Sequence, residues 1–152
     1  MEHEKYMLEA LKEAKKSLKT RDIPIGAVAV VDGKIIARAH NEKEKRSDAT
    51  AHAELLCLQK AAKKLGSWRL YNVELYTTLE PCPMCAGAMV LARIKTLVYG
   101  AKDPKAGAAG SMMNVVRHKK LNHKIKVTGS VVESECSDAI KIFFKQLRKQ
   151  SS

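Results

Sequence analysis

The stretch YNVELYTTLEPCPMCAGAMVLARIKTLVY, residues 71–99, contains the pattern that decides the fold. Its first part, Tyr71 to Thr78, is rich in aromatic and β-branched residues, which predicts a strand. The Pro81-Cys82-Pro83 segment marks a turn, and Met84 to Arg93 predicts a helix. Thr96 to Tyr99 predicts another buried strand. A strand, a helix and a strand in this order predict a βαβ unit with parallel strands.

Outward from this unit, helical and strand patterns continue to alternate. The predicted elements are a helix at 4–19, strands at 25–31 and 34–39 joined by a turn at Asp32-Gly33, a loop at 41–50, a helix at 51–65 with Gly66 as its C-cap, a loop at 100–110, a short helix near 112–117, a strand at 126–132 and a last helix capped by Ser134 or Ser137. The expected fold is a three-layer α/β/α domain spanning residues 1–152. Its mixed five-stranded sheet opens with an antiparallel hairpin and continues in parallel βαβ units.

Length and composition limit the classes of protein to consider. A chain of 152 residues suits one domain, and 45% hydrophobic residues is too high for disorder. No apolar run approaches the roughly 20 residues that cross a bilayer. The charged start, Met1-Glu2-His3-Glu4-Lys5, resembles neither a signal peptide nor a transit peptide. We therefore expect a cytoplasmic protein without a membrane partner.

The charge is strongly positive, with a net value of +12 and a sequence pI near 9.6. Such a balance favours a polyanionic partner, and nucleic acid is the obvious one. A lysine-rich surface that serves only solubility is the alternative.

Two of the four cysteines lie close together, in Cys82-Pro83-Met84-Cys85. In a reducing compartment this spacing indicates a metal site or a redox pair more often than a structural disulfide. Cys57 and Cys136 stand alone within helical patterns and are interpreted as small buried residues.

A metal site needs further ligands, and His52-Ala53-Glu54 offers a histidine next to a carboxylate. A closed structural zinc site would need four ligands, whereas three protein ligands with a place for water define a catalytic site. Residues two apart on a regular helix point about 200° away from each other. His52 and Glu54 can therefore share one site only if His52 lies at the very start of its helix.

This arrangement suggests a mechanism. Zinc makes water nucleophilic near neutral pH, and Glu54 would take a proton from that water and return it to the leaving group. Partial burial would raise the pKa of Glu54 towards neutrality, as this double role requires.

The two motifs, His52-Ala53-Glu54 and Pro81-Cys82-Pro83-Met84-Cys85, resemble the signature of the zinc-dependent cytidine/deoxycytidylate deaminase superfamily. Further stretches are similar to the bacterial tRNA-specific adenosine deaminases. These stretches are residues 24–28, 50–54, 79–82, 85–89 and 100–111, and the last of them lies outside the zinc signature. The resemblance implies one Zn²⁺ per chain, a homodimer, and conversion of adenosine to inosine at the wobble position of a tRNA anticodon stem-loop.

The resemblance also implies contacts with the target base. Asn41 would hydrogen-bond the base, the backbone N–H of Ala53 would hold the ring, and Ile25 and Leu79 would frame it. Asp103 would lie near the sugar-phosphate. The alternatives are core packing for Ile25 and Leu79, and a turn role for Asn41.

Basic residues after the metal turn are expected to rim the pocket and to clamp phosphates. They are Lys102, Lys105, Arg117, His118, Lys119 and Lys120. Phe143 and Phe144 are candidates for base stacking, although their helical spacing with Ile140 and Leu147 indicates that at least one belongs to the core.

Three other functions fit parts of the pattern. A guanine or cytosine deaminase would share the chemistry but would have no use for the positive charge. A thiol redox protein would use only Cys82 and Cys85. A zinc-containing RNA-binding module would have no role for Glu54.

Overall fold

Helices and strands alternate through residues 2–151, the part of the chain that the computed structural model describes. In chain order the elements are α1 (Glu2–Lys16), a 3₁₀ turn (Ser17–Thr20), β1 (Gly26–Val31), β2 (Lys34–His40), α2 (Lys43–Arg46), α3 (Ala53–Leu65), β3 (Glu74–Leu79), α4 (Pro83–Leu91), β4 (Thr96–Ala101), β5 (Lys126–Thr128) and α5 (Glu133–Ser151). The predicted order is confirmed, apart from two short helices discussed below.

The strands form one mixed five-stranded sheet in the order β2-β1-β3-β4-β5. β1 pairs antiparallel with β2 and also with β3, whereas β3-β4 and β4-β5 are parallel. The predicted hairpin and the βαβ unit of β3, α4 and β4 are confirmed. Half of the pairings are antiparallel, because β1 lies between β2 and β3.

Alternate residues of β1 enter two separate hydrophobic cores, as expected for a strand buried on both faces. Ala27 and Ala29 pack with α3 and α4 residues such as Leu56 and Met89. Val28 and Val30 pack on the other face with α1 residues such as Met7. These two cores give the three-layer α/β/α arrangement.

Helix α2 lies within residues 41–50, which were predicted to be a loop. In the first turn of α2, the backbone N–H groups of Glu44 and Lys45 donate hydrogen bonds to the carboxylate of Asp22. Glu42 is ion-paired with Lys45 and with Arg46, the latter at 2.6 Å. The loop prediction was therefore wrong over this turn, because Asp22 satisfies its N–H groups from twenty residues upstream.

The predicted short helix at 112–117 was also wrong. Met112 and Met113 both donate their backbone N–H groups to the carbonyl of Gly107, and Ala109 forms an isolated bridge with Asn114. These bonds close a compact loop and replace the i to i−4 bonds that a helix needs.

The C-terminal elements begin and end at different residues from those predicted. β5 covers three residues where a strand over 126–132 was expected. α5 begins at Glu133, so Ser134 and Ser137 lie inside it and do not cap it. The first helical bond runs from Cys136 N to Val132 O, and Ser130 donates to the Glu133 carboxylate.

Among residues 2–151, no helix combines the length and the apolar character of a membrane span.

Candidate metal centre and active site

His52 lies immediately before α3, with an extended backbone (φ −78°, ψ 148°). Its carbonyl accepts the first helical hydrogen bond, from Leu56 N at 3.0 Å. The helix was predicted to start at Ala51 and starts at Ala53. The requirement that His52 lie just before the first residue of its helix is therefore confirmed. Because the backbone of His52 is extended, its side chain does not follow the roughly 100° rotation per residue of the regular helix.

Cys82 holds the equivalent position before α4, with φ −72° and ψ 171°. Pro83 opens the helix, where a missing N–H costs no hydrogen bond. Cys85 lies one turn on, and its thiol is buried. The turn therefore directs two sulfur atoms towards the mouth of α3.

The three side chains converge. The Sγ atoms of Cys82 and Cys85 each lie 3.6 Å from Nδ1 of His52, and all three donor atoms lie within 4.8 Å of one another. Zn–S bonds of about 2.3 Å and Zn–N bonds of about 2.05 Å in a tetrahedron place nitrogen and sulfur about 3.6 Å apart. The donor types and their separations therefore fit zinc.

The trio favours negative charge on one of its two sulfur atoms, that of Cys82. A hydrogen bond from Cys85, with a further one from His52, lowers the pKa of Cys82 to about 4. The contact with Cys82 and burial raise the pKa of Cys85. The hydrogen bond to Cys82 raises the pKa of His52. Both helices also direct the positive ends of their dipoles here, which stabilises thiolates and suits a cation that replaces the thiol protons.

Glu54 is in the first turn of α3, and only 4% of it is exposed. Burial raises the pKa of its carboxyl group to about 7, against the opposing effects of its own backbone N–H and of His52. A carboxyl group with this pKa can accept and release a proton at neutral pH. Its charge also raises the pKa of His52 and of Cys85, so Glu54 lies close enough to interact electrostatically with the trio.

Asn41 is 5% exposed and follows β2 directly. Its Nδ2 donates to the carbonyl of Ile23 at 3.2 Å, and its Oδ1 accepts from the N–H of Lys43 at 3.2 Å. These bonds fasten the turn after β2. An amide has two donor hydrogens and two acceptor lone pairs, so each polar atom keeps capacity for one more partner.

Ile25 and Leu79, the two apolar residues expected to frame the base, pack against different hydrophobic cores. Ile25 precedes β1 and packs against the core on the α3 and α4 side, together with Cys82. Leu79 ends β3 and packs against the core on the α1 side. Ala53 is buried as the first residue of α3, where backbone N–H groups have no partner within the helix.

Lys102 and Asp103 lie on the loop after β4. The Asp103 carboxylate accepts the backbone N–H groups of Lys105 and Ala106 at 3.1 and 3.2 Å, which closes a tight turn. Lys102 is exposed and lines a surface groove of about 470 Å³ against the first turns of α5. The structure thus gathers the predicted metal ligands at one point and leaves these two residues on a separate loop.

Glu80 is a buried residue whose role the sequence analysis missed; it is 1% exposed, between β3 and Cys82. Its carboxylate accepts the backbone N–H groups of Asp103, Ala109 and Ser111 at 3.0 to 3.1 Å, and also the Ser111 hydroxyl. A Cβ atom on Gly107 would lie 2.4 Å from Glu80 Cδ, so this contact requires glycine. Glu80 therefore holds the 103–111 loop against the metal turn. The sequence did offer one signal of this role, because Glu80 is the single charged residue in the nearly apolar stretch 78–85.

The basic loop at 117–124 is held by contacts near both of its ends. Ile125 N donates to Val116 O, and His123 Nε2 lies 2.7 Å from Ile94 O, just beyond the end of α4. α4 begins beside Cys82 and its nine residues span about 13 Å, so the end of the loop near His123 lies at the remote end of this helix. Just before the loop, Val115 N donates to Ala108 O, and Ala108 N donates to Pro81 O, next to Cys82. That Arg117, His118, Lys119 and Lys120 rim the pocket stays a prediction.

The two phenylalanines of α5 have different surroundings. Phe143 is 8% exposed and Phe144 is 37% exposed, and their rings meet edge to face at 5.3 Å. Both line a cavity of about 590 Å³ that also reaches Asn41 and Arg21. Phe143 is therefore the buried member of the pair, as the helical spacing indicated.

The model of the MafB19-like deaminase family matches residues 1–148. The fold and the site thus define the class of protein: it is a deaminase. A tRNA-specific adenosine deaminase of Bacillus subtilis is 51% identical over 147 residues, which cover 97% of this chain and 91% of the relative. The chain belongs to the family of tRNA-specific adenosine deaminases.

Solved structures agree with this placement. One from a study of A-to-I editing by tRNA:A34 deaminases at the wobble position of transfer RNA superposes with a TM-score of 0.85 and 42% identity, covering 89% of this chain and 98% of the other. A guanine deaminase from Bacillus subtilis has a TM-score of 0.66 and 42% identity, covering 73% and 71%. The cytidine deaminase-like fold expected from the sequence is confirmed.

Proposed function

We propose that this chain, acting as one zinc-dependent deaminase domain over residues 1–152, converts adenosine to inosine at the wobble position of a tRNA anticodon. The observation that carries the chemistry is the approach of His52, Cys82 and Cys85 within zinc-binding distances, with Glu54 buried beside them. The relatives named for this activity cover nearly the whole chain, which supports the choice of substrate.

In this proposal His52, Cys82 and Cys85 hold one zinc ion per chain. When bound, zinc supplies Lewis acidity that makes water a nucleophile near neutral pH. Because three protein ligands leave a fourth tetrahedral position open, the set is of the catalytic kind.

Glu54 would move the protons. Hydrolytic deamination adds water at C6 of adenine, places a proton on N1 and releases ammonia from C6. The Glu54 carboxylate would accept the proton of the attacking water, pass it to N1, and then transfer the second proton to the departing amine. A pKa raised to about 7 by burial suits both directions of transfer at neutral pH.

Asn41 would use its remaining hydrogen-bond donor and acceptor to recognise the edge of the base. The backbone N–H of Ala53 would hold the ring at the start of α3. Ile25 and Leu79 would frame the base, and the Lys102-Asp103 loop would meet the sugar-phosphate. Glu80 supports this assignment, because it fastens that loop to the residues leading into Cys82. A cytoplasmic location follows from the substrate.

The substrate is tested with an anticodon stem-loop that carries adenosine at the wobble position. We expect inosine to form on this RNA, and no ammonia to be released from free adenine, guanine or cytosine, because a free base cannot use the positively charged surface. Mass spectrometry of digested RNA and an ammonia assay make the two measurements. A stem-loop with guanosine at the same position serves as the matched control. Rapid turnover of guanine without any inosine on the RNA would assign the site to a free-base deaminase.

The homodimer is supported by an apolar face on α3 and α4. Trp68 is 55% exposed and Leu91 is 70% exposed, and between them lies a hollow of about 280 Å³. Its apolar lining includes Leu55, Leu58 and Ala62 of α3, Ala88 of α4, and Leu70 and Ala92 just outside these helices. A contiguous apolar face of this kind marks a protein contact, and a second copy would cover it symmetrically.

We expect Leu91→Glu to convert the dimer into a monomer, because a charge would be buried without a partner at the centre of the contact. Sedimentation velocity over a range of concentrations measures the change. Leu8→Glu is the matched control, since Leu8 is 46% exposed on α1 at the opposite face of the sheet. A wild-type chain that stays monomeric, or a Leu91→Glu variant that still dimerises, would contradict the proposed assembly.

A further inference from the structure

The two segments 93–95 and 117–126 form a basic surface at the end of α4 remote from Cys82, called here the remote basic surface. They meet where Lys126 N donates to Lys95 O and where His123 contacts Ile94 O. Together they contain seven lysine and arginine residues and no acidic residue: Arg93, Lys95, Arg117, Lys119, Lys120, Lys124 and Lys126. More than half of the net charge of +12 is therefore concentrated at one end of the molecule.

These charges are exposed and uncompensated. All seven side chains except Arg93, which is partly buried, are exposed. Among the described residues, no ion pair involves any of the seven. On the neighbouring strand, Glu74 occupies the position that pairs with Thr96, and it forms no ion pair with the seven.

In the N-terminal part of the chain, five of the basic side chains are compensated by carboxylates. There the basic residues Lys12, Lys16 and Arg38 are paired with Glu9 or Glu13, and Lys45 and Arg46 are paired with Glu42. On the remote basic surface, seven unpaired basic residues occur without an acidic residue. Such a cluster creates a local positive field, which attracts a polyanion.

We infer that the remote basic surface binds the sugar-phosphate backbone of the RNA substrate outside the loop that carries the target base. The inference rests on the proposed function for the nature of the substrate. Backbone contacts position a nucleic acid without reading its sequence, and flexible lysines suit that role. The remote end of α4 is about 13 Å from Cys82, so a hairpin stem leaving the active site is long enough to reach it.

The test is the double variant Lys119→Glu/Lys120→Glu, with Lys5→Glu/Lys12→Glu as the matched control. Both variants reverse two exposed lysines and change the net charge equally, but Lys5 and Lys12 lie on α1. We expect the Kd for full-length tRNA to rise about tenfold or more in the first variant and less than threefold in the control. The slope of log K against log salt should fall by about one per lost phosphate contact in the first variant alone.

Equal loss of affinity in both variants, or no loss in either, would overturn the inference. So would unchanged RNA binding combined with lost binding to vesicles of anionic phospholipid, which would assign the surface to a membrane. Inosine formation is measured separately on the same samples. Absence of inosine with the wild-type chain would overturn the proposed function, whereas the binding data alone decide the role of this surface.

Discussion

Replacement of Glu54 by alanine is expected to lower kcat for inosine formation by about 10²- to 10⁴-fold, the range over which positioned acids and bases contribute to catalysis. Glu54 does not belong to the trio whose donor atoms converge, so zinc content and RNA affinity should stay close to those of the wild-type chain. Single-turnover kinetics, metal analysis and a binding titration measure the three quantities on one preparation.

The control for Glu54 is Glu13→Gln, which is compared with Glu54→Gln. Both carboxyl groups are about 95% buried, but Glu13 is on α1 and is ion-paired with Lys16. A general loss of stability would affect both variants in proportion to their thermal unfolding, whereas loss of proton transfer affects only Glu54→Gln. If Glu54→Ala kept the wild-type rate, Glu54 would not be the proton shuttle and a zinc-containing RNA-binding module would become the better interpretation.

The second large effect is expected for Cys85→Ala, which removes one of the three ligands. Zinc content should fall from about one per chain to near zero, and inosine formation should fall to background. Two protein ligands are too few to hold the metal, because even a catalytic zinc site has three. Metal binding also favours the folded state, so the melting temperature of the purified protein should drop as well.

Cys57→Ala is the matched control, because Cys57 is also fully buried and lies on α3. Burial raises the pKa of its thiol to about 12, which makes it an inert apolar residue. This variant should keep its zinc and its rate, with a small loss of stability from the space that the sulfur leaves. Wild-type protein free of zinc, with Cys82 and Cys85 joined by a disulfide when oxidised, would favour a thiol redox protein.

Local patterns in the chain predicted much of the site's geometry. The spacing of Cys82 and Cys85 around a proline turn places two sulfur atoms on one side of a helix start, since three residues make nearly one helical turn. The His52-Ala53-Glu54 spacing predicted a histidine outside the regular helix, and the extended backbone of His52 agrees. Gly66 ends α3 as predicted, with a left-handed backbone.

The surroundings of the site were less predictable because they depend on partners far along the chain. Glu80 is fastened to Ser111, thirty-one residues away, and its role was therefore not visible in its own segment. Helix α2 depends on Asp22, more than twenty residues upstream. The end of the basic loop at 117–124 is fixed by the contact between His123 and Ile94, twenty-nine residues apart, near the end of α4.

The sequence by itself determined the order of the main helices and strands and the three-layer class, and it predicted His52, Cys82 and Cys85 as a metal-binding set. The elements depend on periodicity within a few turns of chain, where backbone geometry decides which side chains share a face. Only the tertiary structure decided that β1 pairs antiparallel with β3, that Glu80 holds the 103–111 loop, and where the basic surface lies. Those features arise when distant segments pack to bury apolar surface and to satisfy polar groups, and spacing along the chain does not specify that packing.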